Sequence, residues 1–278
     1  MWTQNMVETP RGNFEYFKMG KGEPLCITHQ YTAFNSNGNI FAAPFTTHYT
    51  VYLINLRGCG NSSDSTVHDD FSFKNSVQDL EAIRSALGFA QWSFAGHSTG
   101  GMLGLNYALM HPNSLKKIII GGLSASSHYM SHPDSIYCKS NPNNSRLLEI
   151  LQLLKDPTKS LEERRALNKE WNLMSIYKKE HYDKIMARPN SGKVVNKRLD
   201  YFISTELKNF DLTESLKTIK LPTYIYCGKY DTQCPLVFSE EIASLIPNAY
   251  LTIFEESSHN PFVEEEGVFN SFVKTTTQ

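Results

Sequence analysis

Trp92-Ser93-Phe94-Ala95-Gly96-His97-Ser98-Thr99-Gly100-Gly101 sets a G-x-S-x-G pattern between a short apolar run and a helical segment that ends before Pro112. A serine used as a nucleophile must project its Oγ clear of the backbone, which demands a sharp, strained turn from strand to helix. Glycines at 96 and 100 let the two elements approach without side-chain clashes. A helix opening at Thr99 and Gly100 also aims N–H groups and its positive dipole end at an oxygen held beside Ser98. Five-residue matches arise by chance, and Ser98 by itself would serve equally as a helix cap. The strand before and the helix after give the pattern its meaning.

Outward from this turn, the runs 25–28, 51–56, 93–95 and 117–121 are short and rich in β-branched or bulky residues, as buried parallel strands are. The run 14–19 alternates and reads as an edge strand. Between the strands lie helical segments. In 75–87, Val77, Leu80, Ile83 and Leu87 recur at near-helical spacing before a stop at Gly88, and 101–111 forms a second helix. Strands alternating with helices imply an α/β fold, a mainly parallel sheet with helices on both faces. After Gly122 the pattern changes. Positions 124–220 hold no convincing buried strand but carry charged helical segments at 144–155, 161–171 and 193–206, broken by Asp156-Pro157 and Arg188-Pro189-Asn190. Strand and helix then resume at 223–227, 239–246, 250–254 and 261–275. The reading is a core in two parts, 1–123 and 221–278, interrupted by a helical insertion at 124–220 that exceeds any connecting loop.

The length of 278 residues is about twice the ~150-residue prior for one domain, which suits a large α/β core with an insertion. A composition 40% hydrophobic and 20% charged excludes disordered, collagen-like and coiled-coil classes. Lys and Arg (27) nearly cancel Asp and Glu (28), so electrostatics supply no reason to bind nucleic acid or an anionic membrane. Cys26, Cys59, Cys138, Cys227 and Cys234 show no C-x-x-C spacing; neither a disulfide framework nor a zinc site is expected, and a reducing cytoplasm is the simpler location. Positions 1–13 lack the basic and apolar regions of a secretory signal, and the apolar stretch near 117–122 is too short to cross a bilayer. The expected partner is a small-molecule substrate, with no nucleic acid and no membrane; oligomeric state stays open.

A serine hydroxyl needs a base, usually a histidine oriented by a carboxylate. With this turn the expected chain order is Ser, acid, His. Asp231 follows the 223–227 strand by four residues, and His259 lies between the last strand and the last helix. Both stand just beyond strand C-terminal ends, where open α/β sheets gather their binding loops. The other histidines suit the role less. His97 points elsewhere on the strained turn, His111 closes a helix, and His48, His68 and His181 sit in polar surroundings. His128 and His132 share i,i+4 spacing but lack the glutamate of a metalloprotease motif, so no metal is expected. Gly58-Cys59-Gly60 has Ser63 where a dinucleotide fingerprint needs its third glycine, and Gly20-Lys21-Gly22 is too short for a P-loop; no cofactor is expected.

Over nearly its full length the chain resembles the α/β-hydrolase-fold family. The resemblance rests on Leu25-Cys26-Ile27-Thr28-His29, Asn55-Leu56-Arg57-Gly58-Cys59-Gly60-Asn61-Ser62, Gly96-His97-Ser98-Thr99-Gly100-Gly101, Leu221 to Asp231, and Ser258-His259. It implies a mainly parallel sheet flanked by helices with an inserted helical lid, and a triad of Ser98, Asp231 and His259. It also implies an oxyanion hole made by the Thr99 N–H and one from the loop His29-Gln30-Tyr31-Thr32-Ala33-Phe34. The family's usual His-Gly start is here His29-Gln30, and Tyr31 is the first choice for the second donor, Gln30 the other. Gln30's side chain could instead enter the pocket, which His29, Phe34, Tyr129 and Trp171 are also expected to line.

These features predict a serine hydrolase, carboxylesterase-like, cleaving a small ester, lactone, thioester or amide through an acyl-Ser98 intermediate. Residues 210–231 are also similar to the approach to the acid in proline iminopeptidases. Those enzymes typically show HGGPG and GGSWGG where this chain has HQYTA and GHSTGG. Carbon–carbon bond hydrolases share the GHSxGG style. A small-molecule receptor with slow or absent turnover is the alternative of a different class.

Overall fold

Alternation decides how this chain is buried. In the computed structural model, which describes residues 1–278, successive residues of each central strand join opposite apolar clusters. Leu25, Ile27, Val51, Leu53, Ala95, Ile119 and Tyr226 face one side; Cys26, Tyr52, Ile54, Phe94, Ile118, Ile120 and Ile225 face the other. A strand buried on both faces reads as a continuous apolar run for this reason.

Eight strands form one sheet: β1 (Thr3–Thr9), β2 (Gly12–Gly20), β3 (Glu23–Ile27), β4 (Tyr49–Ile54), β5 (Trp92–His97), β6 (Leu115–Gly121), β7 (Thr223–Gly228) and β8 (Ala249–Phe254). Their spatial order is β1-β2-β4-β3-β5-β6-β7-β8. The β1–β2 and β2–β4 pairs are antiparallel and all others parallel. Expected as the edge, 14–19 is in fact the interior of the second strand. The edge is β1, whose seven residues bury only Val7 and Thr9 and so carry almost no apolar signal.

Helices α1 (Phe73–Ala86) and α2 (Thr99–Met110) cover one face through Val77, Leu80, Ile83, Met102, Leu103 and Leu105. Ser72 caps α1 by accepting from the Asn75 N–H at 3.1 Å, and Gly88, at φ 78°, supplies its left-handed exit. The other face is aromatic, with Phe41, Phe45, Phe262, Phe269 and Phe272 packed around Tyr226 and Phe254.

Between β6 and β7 the chain leaves the sheet for about a hundred residues. There lie α3 (Asn144–Lys155) and α4 (Leu161–Leu173), the latter started by a reciprocal Ser160–Glu163 capping box. The third helix expected here begins at Asn196 rather than 193, because Lys193–Val194 pairs as a short antiparallel strand with Thr32–Ala33 of the core. After β7 come α5 (Leu236–Leu245) and α6 (Glu266–Thr275). The single helix expected over 261–275 is broken at Glu265 (φ −124°, ψ 53°), where two carboxylates turn back to hold the loop before it. No helix is long and apolar enough to cross a membrane.

Candidate active site

Ser98 is the one non-glycine residue with positive φ (55°, ψ −125°). It stands between β5 and α2, its N–H donating to the Gly121 carbonyl at 2.9 Å and its own carbonyl accepting from Gly101 and Met102. Its side chain makes no capping bond to the helix, so the turn is not held by the hydroxyl. Gly96 and Gly100 are where the approach is closest: a Cβ on Gly96 would lie 2.2 Å from the Gly100 carbonyl oxygen, and one on Gly100 would lie 2.6 Å from that of Thr28. Thr99, the first residue of α2, has an N–H with no intrahelical partner.

Asp231 and His259 are both buried, and the ring Nδ1 lies 2.9 Å from Oδ2 and 3.0 Å from Oδ1. Asp231 Oδ1 also accepts the N–H groups of Gln233 (2.8 Å) and Cys234 (3.0 Å), so the carboxylate is oriented by its own loop. The His259 ring bonds only to Asp231, and Ser98 Oγ makes no hydrogen bond to it. The two are neighbours through His97, whose ring centroid lies 4.5 Å from that of His259.

Three histidines cluster here, and their surroundings separate them. His97 Nδ1 meets the Tyr226 hydroxyl at 3.0 Å, and burial pushes the ring's pKa well down. His29 lies between the hydroxyls of Thr99 (Nε2, 3.0 Å) and Thr32 (Nδ1, 2.9 Å); burial first, then the nearby His259 and Arg198, holds it at about 3. Both rings are therefore neutral near neutral pH, and His259 alone has a carboxylate partner.

Of the residues expected around this centre, His29 and Phe34 line a cavity of ≈ 380 Å³ beside the turn. Ser98, Thr99, Tyr31, Asp231 and His259 do not line it; their sequence neighbours His97 and Asn260 do, and none of its lining residues is Asp, Glu, Lys or Arg. Three other residues expected at the pocket do not line this cavity. Gln30 is wholly buried, its Nε2 donating to the Phe71 carbonyl at 2.8 Å, because an amide on this inward-facing turn finds a backbone acceptor there. Tyr129 packs edge-on against Tyr137 and Phe238, and Trp171 is half-buried away from this cavity. The Tyr31 N–H reaches only His29 Nδ1, at 3.4 Å.

Several residues that tie the centre together carry no sequence signal. Glu264 accepts the N–H groups of Ser258 (3.0 Å) and Asn260 (3.2 Å), on either side of His259, and that of Tyr177 (2.7 Å) from the insertion. Met174 and Ser175, just after α4, bond to Thr232, Gln233 and the His259 N–H. Arg198 reaches the Gln30 carbonyl. The segment between β6 and β7 therefore grips all three loops around the centre.

Sequence comparison agrees with this architecture: the family model described as the alpha/beta hydrolase fold matches residues 23–266. The chain belongs to the α/β-hydrolase fold family. It is similar to an α/β fold family hydrolase from Bacillus anthracis str. Sterne, at 55% identity over 99% of both chains and a TM-score of 0.98. A proline iminopeptidase of Heyndrickxia coagulans is 24% identical, with 95% of each chain covered. An esterase from Exiguobacterium antarcticum shares the fold at 19% identity, covering 99% of both chains with a TM-score of 0.72. This α/β-hydrolase-fold protein is a hydrolase.

Proposed function

We propose that the protein is a serine hydrolase that cleaves small, uncharged esters or lactones, with thioesters and amides in its wider range, through an acyl-Ser98 intermediate. The observation that carries the reading is the buried Asp231–His259 pair beside the strained turn at Ser98. In this mechanism His259 Nε2 takes the Ser98 proton as Oγ attacks the carbonyl carbon. Asp231 holds the Nδ1–H tautomer and stabilises the imidazolium. The N–H groups of Thr99 and Tyr31 receive the oxyanion, with Gln30 the alternative second donor. His259 returns the proton to the leaving group, then activates the water that releases the acid. The insertion 124–220 acts as the lid, with Ile176, Ile185 and Met186 supplying its part of the cavity wall.

The cavity adjoins the centre through His29, His97 and Asn260 and carries no charged side chain, which suits a neutral group, since a buried ammonium or carboxylate needs a partner. A proline iminopeptidase activity is the second reading, supported by the relative that bears that name. Its substrate carries a charged secondary ammonium, for which this cavity offers no carboxylate.

A fluorophosphonate probe, short p-nitrophenyl esters and a prolyl arylamide, each tested on wild type and Ser98→Ala, decide among these. Ser98-dependent labelling with faster ester than arylamide turnover supports the proposal. Faster arylamide turnover supports the aminopeptidase, and no labelling with no turnover leaves the receptor.

A further inference from the structure

Arg198 is an internal cation with no salt bridge of its own: Asp79, the carboxylate that acts on it, is already bridged to Arg11 and Arg57. The side chain is 0% exposed, and its three hydrogen bonds go to the Gln30 carbonyl (from Nε), the Arg57 carbonyl (Nη1, 3.0 Å) and Ser76 Oγ (Nη2, 2.7 Å). Its guanidinium lies 5.5 Å from the Phe71 ring centroid, and Phe71 is also the residue whose carbonyl holds the Gln30 side chain. Burying a guanidinium without a carboxylate is costly, and a neutral side chain of similar volume would fill the space at less cost.

We propose that Arg198 is a positioning residue, borne by the insertion, that aims the oxyanion-hole N–H of the 29–34 loop. The proposal rests on the acyl-Ser98 reading. A trans peptide is planar, so its C=O and N–H point in opposite directions. Fixing the Gln30 carbonyl therefore fixes the Tyr31 N–H on the other side of the same plane. The next peptide is held in the same way, from the same segment: the Tyr31 carbonyl accepts the Val195 N–H at 2.8 Å, and Thr32 pairs with Val194. Gln30 replaces the glycine usual in the family, and its amide on Phe71 secures the third corner of the turn. The Tyr31 N–H itself is left with only the long contact to His29 Nδ1, so an incoming oxyanion displaces little.

The test compares wild type, Arg198→Met and Arg198→Lys as full-length proteins, with thermal unfolding as the check on folding. The readouts are kcat and KM for p-nitrophenyl acetate, and Ki for an aryl trifluoromethyl ketone, whose Ser98 adduct carries an oxyanion. Removing a whole oxyanion donor costs about 10²- to 10³-fold, so misaiming one in Arg198→Met is expected to lower kcat by about 30-fold. Ki should rise by a similar factor while KM stays within about threefold, and Arg198→Lys, which keeps a donor for the Gln30 carbonyl, should recover part of kcat. Unchanged kcat and Ki in folded Arg198→Met, or a loss confined to KM, overturns the proposal. If Arg198→Met does not fold, Arg198→Lys carries the same test: a fall in kcat with a matching rise in Ki supports it, and wild-type values of both overturn it. A wild-type protein inert to both the ester and the ketone overturns the Ser98 reading itself, together with this proposal.

Discussion

Replacing Gly96 by alanine would put a methyl carbon 2.2 Å from the Gly100 carbonyl oxygen, 2.4 Å from its carbon and 2.7 Å from the Gly101 nitrogen. Ordinary contact begins near 3.4 Å, so strand and helix must part by about 3.4 − 2.2 ≈ 1.2 Å. Every atom in the way is backbone, and no side-chain rotation relieves the clash. One extra methyl in a packed interior costs typically 1–3 kcal/mol, and a site with no yielding wall belongs at or above about 3 kcal/mol. The same displacement acts on Ser98, midway between the two glycines, and a misplacement of about 1 Å is worth on the order of 10²-fold in rate. Urea unfolding reads the first effect, and the rate of fluorophosphonate labelling per folded molecule reads the second. Gly267→Ala is the control: nothing lies within 4 Å of its added carbon in α6, and the change should stabilise by up to about 0.5–1 kcal/mol. If Gly96→Ala unfolds at the wild-type urea concentration and labels at the wild-type rate, the close approach of β5 and α2 is not what shapes the turn.

Two further outcomes follow from the loops around the site. Asp231→Asn should lower ester turnover by about 10⁴-fold, since an amide cannot hold the productive histidine tautomer; a loss below about tenfold would remove Asp231 from that role. Glu264 should make stability fall with rising pH. Burial, opposed by its three N–H bonds, raises its carboxyl above the ordinary 4.5, so the folded state holds this proton more tightly than the unfolded chain. Its contribution is therefore fully present below 4.5 and lost as pH climbs through the folded value. The unfolding free energy of wild type minus that of Glu264→Gln should decline as pH rises above about 4.5, and a level difference would refute the assignment.

The sheet core and the turn at Ser98 were legible because their physics is local. A ten-residue stretch specifies strand, turn and helix, and runs such as Lys117-Ile118-Ile119-Ile120 have few alternatives to a buried strand. The positions of Asp231 and His259 followed from chain order once the turn was read. What escaped depends on partners far along the chain. Strand β1 is polar because an edge strand buries little, so its pairing with β2 leaves no apolar alternation. Arg198 sits among Lys193, Lys197 and Asp200, and nothing local marks it as the charged side chain of that stretch that turns inward. Glu264 and Glu265 look like helix residues in sequence; their bonds to 256–260 break the helix instead. Gln30 was expected in the pocket because it departs from a familiar pattern, and a distant carbonyl at Phe71 claimed its amide.

The ties between the insertion and the three loops limit how such proteins can be re-engineered. Exchanging 182–187, which carries Ile185 and Met186, with the matching stretch of a relative alters the wall of the chamber and leaves the fittings around it intact. Exchanging the whole of 124–220 removes Ser175, Val195 and Arg198 in one cut, and with them the brackets on the histidine, the acid and the 29–34 turn. A functional chimera would therefore retain 174–176 and 193–198 from this chain, and specificity can be transplanted only inside that frame.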